Sequence, residues 1–534
     1  MENQVTNMEK AVEIVEKTTG SGFELPYSTQ VMLWIGMAIY ILGMILVGYL
    51  ASGKVKGMGD FLVAGRRLPL WMATATLLAT WFGAGSSMGV AATVYSDGIG
   101  GVLADPFGAS ISLILAGVFI VGLLRRLKCL TVTDVIERRY GKLAGIYASA
   151  WMIPVYIGWL GAQVLGMGTI LHVLTGMSIP VGTLIGAAVV LIYTVAGGMW
   201  AVTLTDVIQV SLIVIGLFLI IPGAVHEAGG WHEIFAKVPA EHLTMAKPDD
   251  QSWVYYIGTW IIMGLGCMVG QDLVQRSLSS RTEKIAISSS VMAGFFYMAI
   301  SIIPITIGFA ARIVLAKYNV TSETMGDDLE NQVLPRMAVI ILGQLSPIVL
   351  IIFLSALVSA IMSSADSSLL AASSLFTNNV VRAVWSRMSD SSLLLTTRIA
   401  TVGFTAIATF LALNVKSIYG LMINSWASQL VVIFIPVMTA LYFPKASKNC
   451  AWATMATATA VWLTYVFVGA AGIEITDVGA DGFLATLLQS DEFAEDLTCG
   501  AVYGFIAGLI AFSCSYLGER LVHWRLDTPE EEAE

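Results

Sequence analysis

A run of small polar residues lies inside one of the most apolar segments of the chain, around residue 360. On a helix, Ala360, Ser363 and Ser364 stand at positions i, i+3 and i+4, so one main-chain carbonyl and two hydroxyl groups face the same side. Neutral oxygens on one face suit a hard monovalent cation, which needs oxygen ligands but must also be released. Serines in apolar helices also bond to the carbonyl of the preceding turn and allow close helix packing, so the spacing alone leaves both interpretations open.

Two aspartates accompany this polar face. Asp366 lies three residues beyond Ser363, in an apolar segment where an ionised carboxylate costs about 2.5 to 3.5 kcal/mol and therefore needs a partner or a proton. Asp206 follows the pair Gly197-Gly198 at the start of another apolar segment, where the alternative interpretation is a carboxylate near exposed helix amides. We expect the two acids to flank a position for a second cation or a proton.

The elements that must position these groups are membrane helices. Hydrophobic residues make up 57% of the 534 residues, mean hydropathy is +0.79, and charged residues make up 12%, against about 25% in soluble proteins. This composition excludes a soluble globular protein, a disordered chain and a nucleic-acid-binding protein. The missing CxxC spacing disfavours a disulfide framework or a zinc site, and without a P-loop an ATP-driven pump built on that motif would need another subunit. We expect a protein that is not an enzyme and that uses no organic cofactor.

Thirteen segments have the length and apolarity of membrane spans. They cover residues 31–50, 71–94, 102–124, 143–174, 179–196, 207–224, 253–270, 285–314, 345–375, 399–413, 421–443, 451–471 and 501–521. Most Lys and Arg residues fall in the connections on one side, which the positive-inside rule assigns to the cytoplasm. We therefore predict an external tail over 1–30, a membrane domain over 31–521 and an acidic cytoplasmic tail over 522–534. The lipid bilayer is the expected environment, with a location in the plasma membrane, which is the inner membrane of a bacterium.

The spans repeat as two sets of five, about 71–224 and about 253–443. Five is odd, so the second set must cross the membrane upside down relative to the first. The opening span of each set is interrupted by glycines, at 83–87 and at Gly264, Gly266 and Gly270. Glycines also let helices pack closely, but breaks in corresponding positions favour inverted repeats with a substrate site near mid-membrane.

Four stretches together resemble the sodium/solute symporter family, which includes sodium-coupled sugar, proline, pantothenate and choline carriers. They are LTVTDVIERRYG (130–141), GGMWAVTLTDVIQ (197–209), VGQDLVQRSLSSR (269–281) and VSAIMSSADSSLLAASSLFTNN (358–379), of which the last is most similar to the choline carriers. The resemblance spans roughly residues 30 to 450. It implies the leucine-transporter fold, an inverted five-helix repeat with broken first helices, and a symporter that uses Na⁺ to import a small polar organic solute.

The resemblance also implies site residues. It places the main sodium site at the carbonyls of Ala79, Phe82 and Ala360 and the hydroxyls of Ser363 and Ser364. A second cation or proton position falls on Asp206, Asp366 and Ser367. An acid at 366 departs from much of the family, which leaves sodium and proton both open there.

The residues predicted to face the solute lie beside the two breaks, on the fourth span and on the eleventh span. They are Trp81, Gly83, Gln163, Gly270, Gln271, Trp426 and Gln429. Trp81 matches an ATW pattern of choline-type carriers, and a quaternary ammonium prefers tryptophan faces. Gly270 stands where those carriers have a second tryptophan, so we expect choline to bind without being the best solute.

Other functions stay open at this level. A channel is disfavoured by the missing repeated filter and by the interrupted helices, while a transporter-like sensor or receptor would need a separate signalling partner. A proton-coupled carrier is the alternative that Asp366 keeps open.

Overall fold

The computed structural model describes residues 27–53, 57–248, 251–320, 329–414, 418, 422, 426–472 and 491–527. Regular structure in these ranges is helical, apart from one isolated bridge between Leu68 and Ser280. Short helices cover Met58–Val63, Thr133–Tyr140 and Trp231–Lys237. The longer helices are α1 Tyr27–Ser52, α2 Leu70–Trp81, α3 Gly85–Asp97, α4 Ile99–Leu127, α5 Lys142–Thr175, α6 Ile179–Ile192, α7 Gly198–Glu227, α8 Trp253–Gly264, α9 Gln271–Ser279, α10 Glu283–Lys317, α11 Leu329–Leu345, α12 Pro347–Val384, α13 Asp390–Asn414, α14 Trp426–Tyr442, α15 Lys448–Gly472 and α16 Asp491–Asp527.

Most of these helices have the length and composition of membrane spans. In the described ranges ten are long and apolar enough, with α8 and α9 counted together, and the bent pair α2 and α3 makes an eleventh. Helices α6 and α14 are apolar but shorter. The chain is therefore an all-helical, multi-pass membrane protein, while the number of thirteen crossings stays a prediction.

Helix α11 was not among the predicted spans, because it lies in the connection between the spans predicted over 285–314 and 345–375. Its sequence carries Glu330 and Arg336, which lower the local hydropathy below that of a span. The helix nevertheless buries Val333, Leu334 and Met337 and packs against α12. Its apolar face is therefore covered by protein.

The two broken helices, α2 with α3 and α8 with α9, run in opposite directions. Leu68, just before α2, donates its amide to the Ser279 carbonyl at 3.0 Å, and the Arg281 amide donates to the Leu68 carbonyl at 2.9 Å. The start of the first broken helix therefore meets the end of the second. At the opposite end, Gly98 follows α3 and touches the backbone of His242, in the segment that leads to α8. This is the arrangement that inverted repeats require.

The third helices of the two sets, α5 and α12, form the centre of the molecule. In the apolar 18-residue stretch of α5, 94% is buried by the rest of the protein, against 28% in the corresponding stretch of α1. Helices α6 and α7 meet at Gly198, whose φ of 54° is in the left-handed region. A Cβ there would also lie 2.4 Å from the Phe61 ring, so this turn needs glycine. The turn sets α7 against α12, where Gly216 faces Ala356 closely.

Candidate cation and solute site

The break between α2 and α3 leaves main-chain oxygens without their usual helical partners. The Gly83 amide turns back to the Trp81 carbonyl at 3.2 Å instead of reaching Ala79. The Ala84 amide donates to Gln163 Oε1 at 2.9 Å instead of to Thr80. Gln163, on α5, therefore takes up an amide that the break exposes, while the carbonyls of Ala79 and Thr80 are released from the helix.

The serine face of α12 lies directly against this break. Ser364 Oγ donates to the Thr80 carbonyl at 2.7 Å. Gly83 allows the approach, because a Cβ at that position would lie 2.3 Å from Ser364 Oγ and 2.6 Å from Gln163 Oε1. The sequence-predicted residues Gly83, Gln163 and Ser364 are thus brought together at the break. Ala79 on α2, Phe82 directly after α2 and Ala360 on α12 are buried as well.

The second serine turns toward a different partner. Ser363 Oγ donates to Asp206 Oδ1 at 2.5 Å, and Thr76 of α2 donates to the other carboxylate oxygen. Asp206, on α7, is completely buried. The acid predicted to belong to a second cation position therefore contacts the paired-serine motif itself.

Ser367 joins the same polar region one turn further along α12. Its hydroxyl lies 3.1 Å from Thr80 Oγ1 and 3.1 Å from Asp366 Oδ1. It also accepts a hydrogen bond from the guanidinium of Arg276, a fully buried side chain on α9. Arg276 lies within electrostatic reach of Asp206 and supplies a positive charge near the buried acids, as burial of such groups requires.

A small cavity lies beside the broken helix α2–α3. Its walls carry four aromatic rings, one carboxylate, one amide and two sulfur-containing side chains: Trp81, Trp159, Tyr297, Trp426, Asp272, Gln429, Met263 and Cys267. The rings of Trp81 and Tyr297 meet edge to face at 6.4 Å, and those of Trp159 and Trp426 do so at 6.1 Å. Each of these four rings is at least 91% buried.

Asp272 is the acidic group of this cavity and is held by two aromatic donors. Trp81 Nε1 donates to Oδ2 at 2.6 Å, and the Tyr156 hydroxyl donates to Oδ1 at 2.9 Å. The carboxylate sits close to Gly270, where a Cβ would come within 2.8 Å of Oδ1. A tryptophan at 270 would therefore occupy the space that the Asp272 carboxylate uses.

Three of the seven predicted solute-facing residues line the cavity, namely Trp81, Trp426 and Gln429. Gly270 backs the carboxylate, and Gly83 and Gln163 lie at the break. Gln271 points elsewhere, since its oxygen accepts from the Val132 amide at 2.8 Å and its nitrogen donates to Ser374 at 3.3 Å.

Sequence reasoning missed Asp272, Trp159 and Tyr297. Asp272 carried a usable signal, because the cost of an acid in an apolar span applies to it as much as to Asp366. The two rings carried none, since an aromatic residue in a membrane helix is ordinary. The expectation that choline would bind without being the best solute rested on the missing tryptophan at position 270, but the cavity carries three rings besides Trp81.

The chain matches the family model described as "Sodium:solute symporter family" over residues 61–457. It is 31% identical to the human high affinity choline transporter 1 over 428 residues, covering 76% of this chain and 72% of the relative. It is 27% identical to the sodium/glucose cotransporter of Vibrio parahaemolyticus, covering 65% and 68%. A solved Na⁺-coupled sialic acid symporter in an outward-open state shares the fold, with a TM-score of 0.68, 20% identity and coverage of 89% of this chain and 98% of that one.

The chain belongs to the sodium:solute symporter family. It is a multi-pass membrane transporter, not an enzyme, and couples movement of a small solute to Na⁺. The predicted fold class is confirmed in its coarser part, an all-helical multi-pass membrane protein that shares the fold of a solved Na⁺-coupled symporter.

Proposed function

We propose that the solute is a small organic cation of the quaternary-ammonium class, of which choline is the first candidate. The observation that carries this proposal is a buried cavity that combines four aromatic rings with one carboxylate, Asp272. Ring faces attract an alkylated ammonium by about 0.5 to 2 kcal/mol each, depending on desolvation. A carboxylate in the same cavity favours a net cation and opposes a carboxylated solute such as proline, pantothenate or glycine betaine.

Gln429 adds a polar requirement. Its side-chain oxygen is buried and has no hydrogen-bond partner among the described residues, although the side chain lines the cavity. A buried acceptor left unpaired costs about 1 to 3 kcal/mol, so a solute with a hydroxyl or N–H donor is favoured over a purely alkylated one. Choline has both the ammonium and the hydroxyl, and the human high affinity choline transporter 1 is 31% identical to this chain.

The cation sites are proposed as the sequence indicated. Ala79, Phe82, Ala360, Ser363 and Ser364 supply oxygens for the sodium that joins α12 to the broken helix. Asp206, Asp366 and Ser367 hold a second cation or a proton. The contacts of Ser364 with Thr80 and of Ser363 with Asp206 support one polar region that extends over both positions. Sodium drives the cycle only through its different affinities for the two access states.

The proposed placement is a plasma membrane, crossed thirteen times, with residues 1–30 outside and residues 522–534 in the cytoplasm. The opposite directions of the two broken helices support the inverted pair of five-helix sets within these thirteen crossings. The orientation rests on the distribution of Lys and Arg among the connections.

Uptake into proteoliposomes tests the solute class. Choline, glycine betaine, proline, glucose and pantothenate are each offered with an inward sodium gradient. In the control, potassium replaces sodium. We expect concentrative, sodium-dependent uptake of choline and weak or no uptake of the carboxylated and neutral solutes. Preferential accumulation of any of those four solutes would contradict the proposal. Binding of choline without accumulation would indicate a sensor.

A further inference from the structure

Asp105, on α4, lies in a second buried polar cluster, between the break and α10. Its carboxylate lies next to the hydroxyls of Ser86 on α3 and Tyr297 on α10, and each of the three side chains is 1% exposed. Tyr297 Oη is 2.5 Å from Asp105 Oδ1 and 2.5 Å from Ser86 Oγ, and Ser86 Oγ is 2.7 Å from Asp105 Oδ2. The four oxygens therefore form a closed ring of three hydrogen-bond contacts.

Counting protons in this ring favours one state of the acid. The Trp81 carbonyl, which can only accept, also lies 2.9 Å from Ser86 Oγ and 3.3 Å from Tyr297 Oη, so it competes for the same protons. The three contacts inside the ring need three protons, and the two hydroxyl groups supply at most two. With an ionised carboxylate, one contact would bring two oxygens together without a proton between them. With a neutral carboxyl group the ring closes in one direction: Asp105 donates to Tyr297, Tyr297 donates to Ser86, and Ser86 donates to the other oxygen of Asp105.

The surrounding charges favour the same state. An ionised carboxylate inside a membrane helix needs a cation, and no Lys or Arg in the described part of the chain forms an ion pair with Asp105. The titratable groups that face it are Tyr297 from α10 and Cys267 from the turn between α8 and α9, neither of which carries positive charge. The buried Arg276 serves Asp206 and Asp272 instead.

The ring is connected to the transport machinery through the break itself. Ser86 Oγ also lies 2.9 Å from the Trp81 carbonyl, so the cluster links the last residue of α2 to the first turn of α3. The Tyr297 ring packs edge-on against Trp81 at 6.4 Å and Phe82 at 5.9 Å. Tyr297 also lines the cavity, so one side chain borders both the cavity and the enclosed carboxyl group.

We propose that Asp105, Ser86 and Tyr297 form a proton-binding site, in which a proton from cavity water neutralises Asp105 and holds the two halves of the broken helix in this conformation. Loss of that proton leaves a charge without a cation and opens the ring, so alkaline pH disfavours this state. The site differs from the proposed sodium positions and does not depend on which solute is carried.

The test compares Asp105→Asn with Asp105→Ala in proteoliposomes, using initial sodium-driven uptake of whichever panel solute is transported, over a range of pH set equally on both sides. Asparagine reproduces the neutral acid, because its NH₂ group donates to Tyr297 and its oxygen accepts from Ser86. We expect wild-type uptake to fall toward alkaline pH and Asp105→Asn to stay active without that fall. Asp105→Ala should lower uptake by about tenfold at every pH, since it removes both ring contacts of the carboxyl group.

Infrared difference spectra of wild type minus Asp105→Asn give a reading that needs no transport. We expect a protonated carboxyl band at neutral pH that shifts in D₂O and disappears at alkaline pH. Asp97→Asn, at an exposed helix end, is the control and should keep the wild-type pH profile. The proposal is overturned if the carboxyl band is absent, if Asp105→Asn is as inactive as Asp105→Ala, or if it keeps the wild-type alkaline fall. If no panel solute is carried, the proposed function fails while the infrared result still decides this site.

Discussion

Replacing Asp272 with asparagine should change the charge preference of the cavity while leaving its shape nearly intact. Asparagine is close in size to aspartate and keeps an oxygen that accepts from Trp81 Nε1, which now lies 2.6 Å from the carboxylate. The rings of Trp159, Tyr297 and Trp426 are not altered. The variant therefore removes the negative charge and little else.

The expected loss of choline affinity follows from the distance at which the methyl groups hold the ammonium nitrogen from the carboxylate. A trimethylammonium nitrogen approaches a carboxylate oxygen to about 5 Å, where two unit charges attract by about 3 kcal/mol at an effective dielectric constant near 20. The buried Arg276 lies within electrostatic reach of Asp272 and offsets part of this attraction. We expect the choline concentration for half-maximal uptake to rise by about 30- to 100-fold, which corresponds to about 2 to 3 kcal/mol.

The assay measures choline uptake together with competition by 3,3-dimethylbutan-1-ol, a neutral molecule of the same shape. Wild-type protein should prefer choline strongly, and Asp272→Asn should lose most of that preference because binding of the neutral alcohol does not depend on the charge. Asp97→Asn removes one negative charge at an exposed position and serves as the matched control. An unchanged choline affinity in Asp272→Asn would refute the electrostatic role assigned to this carboxylate.

Three further predictions concern the cation sites and the topology. Ser364→Ala and Ser363→Ala should each raise the sodium concentration for half-maximal uptake by about tenfold, since each removes a hydroxyl ligand; unchanged sodium dependence in both would eliminate the proposed site. Asp366→Asn should weaken or uncouple transport, measured as solute accumulated per sodium gradient, and wild-type sodium and pH dependence in this variant would make the residue structural. In a cysteine-free background, a cysteine at Ala236 should react with an impermeant thiol reagent from outside while one at Ser386 should not, and the reverse labelling would overturn the proposed orientation.

Much of the architecture was readable from the sequence because lipid imposes a simple rule on a chain. A helix that crosses a membrane must be apolar for about 20 residues, so each span is visible locally and needs no knowledge of its neighbours. The break at Gly83 and the turn at Gly198 were visible for the same reason, since glycine in such a segment marks irregular backbone. Helix α11 was not predicted because Glu330 and Arg336 lower its hydropathy below that of a membrane span.

The cation region was partly readable because its groups lie close together in the chain. Ser363, Ser364 and Ser367 occupy one helix, and their common face follows from helical spacing alone. The sequence could not show that the two adjacent serines have different partners. Ser364 faces Thr80 and Ser363 faces Asp206, and only the packing of α2 and α7 on either side of α12 determines this.

The sequence by itself determined a multi-pass helical protein with broken helices and a serine face suited to a cation. Only the tertiary structure placed the aromatic cavity and the Asp105 cluster. Trp81 and Asp272 are 191 residues apart, and Asp105 and Tyr297 are 192 apart. In spans that are apolar on nearly every side, local hydropathy carries little information about which face meets which neighbour, so these partners are determined by the crossing of whole helices.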